Sequence, residues 1–178
     1  MLHSLPGSMP GIQIRCPTRS ARVTKLAKAW CRESRPPSSS DHPVFGDEAT
    51  FYLDTSAAAK LVVAEPASEA MASWAATHEA RVIASDLLRT ELLRATRRAA
   101  PDRMQRARAV LDALTLFNLS SATFERAATL DSDELRSLDA LHLAAALELG
   151  DDLDGIVTYD DRMAAAASLY GVAVIAPT

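Results

Sequence analysis

Four carboxylates stand where acids are least expected in this 178-residue chain. Asp54 follows Phe51-Tyr52-Leu53, three apolar, β-favouring residues that read as a short buried strand. Thr55 and Ser56, both good helix N-caps, and the helix-forming run Ala57-Ala58-Ala59-Lys60-Leu61 come next. Glu91 lies in the apolar stripe Leu87, Leu88, Leu92, Ala95 of a helix whose arginines take the other face, where a solvated glutamate belongs. Asp139 sits in the first turn of Leu138-Asp139-Ala140-Leu141-His142-Leu143-Ala144-Ala145-Ala146-Leu147, apolar nearly all round and so predicted to be a buried helix. Asp160 follows Thr158-Tyr159 at the end of a further strand, with Thr158 and Asp160 on one side in extended geometry.

Such a set can do one kind of chemistry well. Carboxylates gathered in one cleft repel each other and raise one another's pKa values, and divalent cations relieve that repulsion. An all-oxygen set without cysteine suits Mg²⁺ or Mn²⁺ rather than zinc. Such a site activates water and stabilises the charge on a phosphodiester during in-line displacement. Each acid also has a purely structural reading. Asp54 and Asp139 could cap or complement helix dipoles, and Glu91 could pair with Arg94. His142, one turn beyond Asp139, reads as a core or supporting histidine rather than a metal ligand. Asp151, Asp152 and Asp154 read as a solvated acidic turn.

The elements that must position these acids alternate between strand and helix. Strands are predicted at Phe51–Asp54, Arg81–Ala84, Thr115–Leu119, Gly155–Tyr159 and Val172–Ile175. Helices are predicted at about Ser56–Ala64, Ala67–Glu79, from a Ser85 cap to Ala99, from an Asp102 cap through Arg103–Leu114, from Ser120 or Ser121 to Leu130, from Ser137 to Leu149, and from Asp160 or Asp161 to Tyr170. Gly150 and Gly171 close two of them. This alternation predicts a parallel sheet covered on both faces. In a parallel sheet all four acids can converge on the carboxyl edge, where open α/β folds hold their ligands.

The segments FYLDTSAAAKL, TELLRA, RSLDALHLAAAL and TYDDRM occur in this order, and residues 51–178 resemble the PIN-domain ribonuclease toxins of VapBC-type toxin–antitoxin pairs. The resemblance implies a three-layer α/β/α sandwich with a mainly parallel five-stranded sheet. It implies Mg²⁺-dependent cleavage of RNA and a homodimer inhibited by a cognate antitoxin. It places the catalytic and metal-binding role on Asp54, Glu91, Asp139 and Asp160, so the quartet is complete. In the mechanism it suggests, water is the nucleophile, Asp54 and Asp139 are the primary metal ligands, and Glu91 and Asp160 complete the site directly or through water.

Residues 1–50 depart from that pattern and are expected to be a poorly ordered extension, or the result of a start assigned too far upstream, with Val44 fitting a GTG start. They hold seven Lys/Arg against four Asp/Glu, whereas residues 51–178 hold twelve against nineteen. Pro36-Pro37-Ser38-Ser39-Ser40 reads as a linker, and Ala21 to Trp30 as a short basic helix. Cys16 and Cys31 lack zinc or disulfide-framework spacing. No apolar run approaches the roughly 18 residues of a membrane span and no secretory signal opens the chain, so a cytoplasmic protein is expected.

A net charge of −4 excludes an overall basic footprint. Yet Arg89, Arg94, Arg97, Arg98, Arg103, Arg106 and Arg108 crowd into 20 positions around Glu91. That run reads as an RNA-guiding surface, as a docking site for an acidic antitoxin segment, or as a solvated helical face. Two other functions compete with the nuclease. One is a non-catalytic PIN-like module binding RNA or protein. The other is an aspartyl phosphoryl-transfer enzyme, disfavoured because position 56 is Ser rather than a second acid.

Overall fold

The computed structural model describes residues 50–131 and 134–178. The expectations for residues 1–49, including the linker, the basic helix and both cysteines, lie outside the described residues. The elements follow as β1 (Thr50–Leu53), α1 (Thr55–Lys60), α2 (Ser68–His78), β2 (Val82–Ser85), α3 (Leu87–Ala99), α4 (Met104–Ala113), β3 (Thr115–Phe117), α5 (Ser121–Ala128), α6 (Ser137–Leu147), β4 (Leu153–Val157), α7 (Asp161–Leu169) and β5 (Val174–Ile175). All four strand pairings are parallel and the spatial order is β3-β2-β1-β4-β5.

That order has one consequence for chemistry. From β1 the chain winds outward through β2 to β3, then returns to lay β4 against the other side of β1. The gap beyond the carboxyl ends of β1 and β4 is therefore the topological switch point, where open α/β sheets bind ligands. Asp54 follows β1 and Asp160 comes soon after β4.

Strand alternation builds the two outer layers. Leu53 and Val157 face a core with Ala57, Ala58, Met71, Leu88, Leu92 and Leu111, drawn from α1 to α4. Their neighbours Tyr52 and Ile156 face the opposite core with Leu143, Ala145, Met163 and Ala167, drawn from α6 and α7. Six residues of α6 are buried, which its apolar sequence requires. The three-layer α/β/α sandwich is thus formed as expected. Among the described residues no helix is long and apolar enough to cross a membrane.

Several local expectations fail for identifiable reasons. Ser85 does not cap α3. It ends β2, fully buried, and its hydroxyl accepts a bond from Tyr52. Asp102 lies in a 3-10 turn, Pro101–Arg103, and no side chain caps α4. Helix α1 stops at Lys60 rather than Ala64, and the Leu61 carbonyl accepts from Arg106 Nε at 2.6 Å. Ala67, at φ 67°, holds the left-handed backbone that starts α2 one residue late. Asp154 belongs to β4 rather than to a solvated loop, and its carboxylate accepts the Thr50 N–H at 2.6 Å, beside the register shift between β1 and β4. Gly150 and Gly171, at φ 55° and 74°, follow α6 and α7 in the left-handed conformation that glycine adopts freely.

Candidate active site

Asp54 is the N-cap of α1, and Thr55 and Ser56, expected as caps, form its first turn instead. Its Oδ2 accepts from the Ser56 N–H at 3.2 Å, from Ser56 Oγ at 2.6 Å and from Thr158 Oγ1 at 2.9 Å. Three donors on one oxygen hold the carboxylate rigidly, although the residue is only 5% exposed. Oδ1 has no hydrogen bond among the described residues. No buried side-chain N or O there is left without a partner, so Oδ1 is open to solvent. Asp54 therefore caps its helix with one oxygen and leaves the other exposed to solvent.

Glu91 repeats the arrangement from α3. Its Oε2 accepts from Thr55 Oγ1 at 2.5 Å and from His142 Nε2 at 2.6 Å, and Oε1 is left open in the same sense. The alternative structural pairing of Glu91 with Arg94 is absent among the described residues, and Glu91 pairs with His142. Behind His142, Nδ1 lies 2.7 Å from Tyr52 Oη, which donates to Ser85 Oγ at 2.9 Å. Burial pushes the Glu91 carboxyl up, but the hydrogen bonds from His142 and Thr55 outweigh it and leave it below the ordinary glutamate range. Burial drives the Tyr52 hydroxyl far above its usual range, and the charges of Asp54 and Glu91 add to that push.

Asp139 and Asp160 respond to their surroundings in opposite directions. Asp139 accepts the Arg136 N–H at 3.3 Å, so its helix-capping role is real. Burial raises its carboxyl, and the nearby carboxylates of Asp160 and Asp54 raise it further against the opposing Arg136 bond. Asp160 is the N-cap of α7. Its Oδ1 accepts from the N–H groups of Arg162 and Met163 at 2.9 and 3.2 Å, and its Oδ2 from Arg162 Nη2 at 3.2 Å. The Arg162 side chain, helped by those backbone donors, holds Asp160 below the ordinary aspartate range despite partial burial. Thr158 Oγ1 accepts the Asp160 N–H at 3.1 Å while donating to Asp54. Asp139 thus feels the charge of Asp160 and Asp54, and Glu91 joins the group through Thr55, the residue after Asp54.

Ser56, Thr158, Tyr52, Ser85 and Arg162, none of them expected as site residues, hold the acids or their partners in place. The available signals were a tyrosine inside an apolar strand and a threonine two residues before an acid.

The donor set fits a hard divalent cation in type and charge: carboxylate oxygens only, one each left open on Asp54 and Glu91, and the three acids Asp139, Asp160 and Asp54 with Arg162 as the cation beside them. The ligand set is not closed, since among the described residues no three His, Cys, Asp or Glu side chains converge as metal ligands. An apolar cavity of about 230 Å³, lined by residues such as Met71, Ala75, Val110 and Leu114, contains none of the four acids. In the arginine run, Arg106 reaches Leu61, Arg103 lies 3.3 Å from Asp102 and Arg89 4.0 Å from Asp86. Arg94, Arg97, Arg98 and Arg108 are exposed and form no ion pair among the described residues.

The sequence is 43% identical over 130 residues to Mycobacterium tuberculosis ribonuclease VapC46, covering 73% of this chain and 99% of that protein. It is 40% identical to ribonuclease VapC35 from the same species, over 71% of this chain and 96% of the relative. The PIN domain profile matches residues 51–169. The chain belongs to the PIN-domain family of VapC ribonucleases. The crystal structure of M. tuberculosis VapC20, described as a Sarcin-Ricin loop cleaving toxin, superposes with a TM-score of 0.56 at 17% identity. That match covers 66% of this chain and 95% of VapC20, and supports the fold. In this VapC-family chain the matched segment begins within β1, three residues before Asp54.

Proposed function

We propose that residues 51–178 form a Mg²⁺- or Mn²⁺-dependent endoribonuclease, the toxin of a type II toxin–antitoxin pair. The observation that supports this most is the coupled carboxylate cluster at the switch point of a VapC-family PIN fold. There burial raises the Asp139 carboxyl and the charges of Asp160 and Asp54 add to it, a cost that a divalent cation would relieve. When bound, the cation would lower the pKa of attacking water and neutralise charge on the phosphodiester.

The chain's own residues prepare that step. Asp54 presents Oδ1 while Ser56 and Thr158 fix Oδ2, and Asp139 is the second primary ligand. Glu91 and Asp160 complete the set directly or through water, with Arg162 keeping Asp160 ionised. The exposed Arg94, Arg97, Arg98 and Arg108 offer planar donors to an RNA backbone or to an acidic antitoxin segment. We further propose a homodimer acting in the cytoplasm, with residues 1–50 outside the catalytic domain.

A second reading, a non-catalytic module binding RNA or protein, draws on the ligand set that is not closed. End-labelled RNA incubated with the full chain in Mg²⁺, in Mn²⁺ and in EDTA separates the two. Internal cleavage with either metal and none in EDTA is expected. RNA binding that persists in EDTA, with no product in either metal, would support the binding module instead.

A further inference from the structure

We propose that His142, backed by Tyr52 and Ser85, is a positioning residue that presets Glu91 for cation capture. The inference rests on the metal-dependent reading proposed above. His142 is 1% exposed on a helix whose other buried residues are all Ala or Leu, a costly place for an imidazole unless both nitrogens have partners. Both do. Glu91 as a carboxylate can only accept, so His142 Nε2–H donates to Oε2, while Nδ1 meets Tyr52 Oη.

The four residues come from four elements: α6, β1, β2 and α3. His142 and Tyr52 belong to one side of the sheet, whereas α3 packs on the other. The chain of bonds therefore crosses from one layer to the other at the carboxyl edge and ends on one glutamate oxygen. Thr55 supplies the second bond to that same oxygen. A glutamate left to itself samples three side-chain torsions. With Oε2 held by two donors, its rotamer is set and Oε1 alone is offered outward. Partners that orient carboxylate ligands in this way typically change metal affinity by about 10–100-fold when removed.

The test measures Mn²⁺ affinity of the full chain by titration calorimetry, alongside its melting temperature. Tyr52→Phe and His142→Ala are expected to weaken Mn²⁺ binding about tenfold or more. His142→Gln, which keeps an amide donor near the position of Nε2, is expected to recover most of it. Leu143→Ala, a core truncation in the same helix, is expected to lower the melting temperature and leave affinity unchanged. Parent-like affinity in Tyr52→Phe and His142→Ala, or equal weakening in Leu143→Ala, would overturn the positioning role while leaving the metal reading intact. A parent chain that binds no Mn²⁺ would overturn both.

Discussion

Thr158 donates its hydroxyl to Asp54 Oδ2 across 2.9 Å, joining the residue after β4 to the residue after β1 at the switch point of the sheet. The bond is buried and its acceptor is charged, a class that contributes roughly 1.5–3 kcal/mol. Thr158→Val keeps the shape and removes the donor. RNA cleavage is expected to fall about tenfold or more, and the melting temperature by several degrees. Single-turnover cleavage and a thermal melt check this, and unchanged rates would show that Ser56 alone suffices to hold Asp54.

The opposite shifts of Asp139 and Glu91 give opposite pH signatures. A raised folded-state pKa means that Asp139 contributes stability fully below its ordinary value of 3.8 and loses it as pH rises through the higher folded value. Its ionised form is a liability at neutral pH without metal. Glu91, lowered, contributes above its ordinary 4.5 and loses that contribution as pH falls through the folded value. In EDTA at pH 7, Asp139→Asn is expected to melt higher than the parent and Glu91→Gln lower, with both differences shrinking in acid. Asp139→Asn should still cost about 10²-fold or more in cleavage, since metal-centred charge stabilisation is worth several kcal/mol.

A separate prediction concerns the sheet edge. A Cβ on Gly155 would lie 2.5 Å from Ile175 Cδ1 and 2.9 Å from the Ala173 carbonyl oxygen. The isoleucine tip can rotate away, but the backbone oxygen accepts the Ile156 N–H and cannot move freely. Gly155→Ala is expected to destabilise the fold by about 1–3 kcal/mol through overpacking. Denaturant melts would show this, with cleavage retained well below the melting temperature.

The layered fold was legible because apolar blocks in this chain end in Asp, Ser, Pro or Gly, which fixes where strands stop and helices start. Asp54 and Asp160 were legible as acids at strand ends, and Glu91 as a carboxylate on a leucine face. What escaped were contacts between residues distant in sequence. Tyr52 and His142 are 90 positions apart, and Asp54 and Thr158 are 104 apart. Ser85 failed as a cap for the same reason. A serine before a helix looks like a cap from local sequence, and only the approach of Tyr52 from β1 gives its hydroxyl another partner.

Deleting residues 1–48 is expected to leave melting and cleavage unchanged. Thr50, whose N–H is clamped by Asp154, remains in place, and the family match starts at residue 51. A melting temperature lowered by more than a few degrees, equivalent to about 1 kcal/mol, would show that the segment packs on the domain.

The central claim is that Asp54 serves a metal-dependent cut of RNA, and the measurement nearest to it is cleavage by Asp54→Asn in Mg²⁺. Asparagine keeps an acceptor for Ser56 and Thr158, so circular dichroism and thermal melting should report a folded protein. The expected result is a folded variant whose cleavage falls about 10²-fold or more. A folded Asp54→Asn that cleaves RNA in Mg²⁺ as fast as the parent would contradict the assignment.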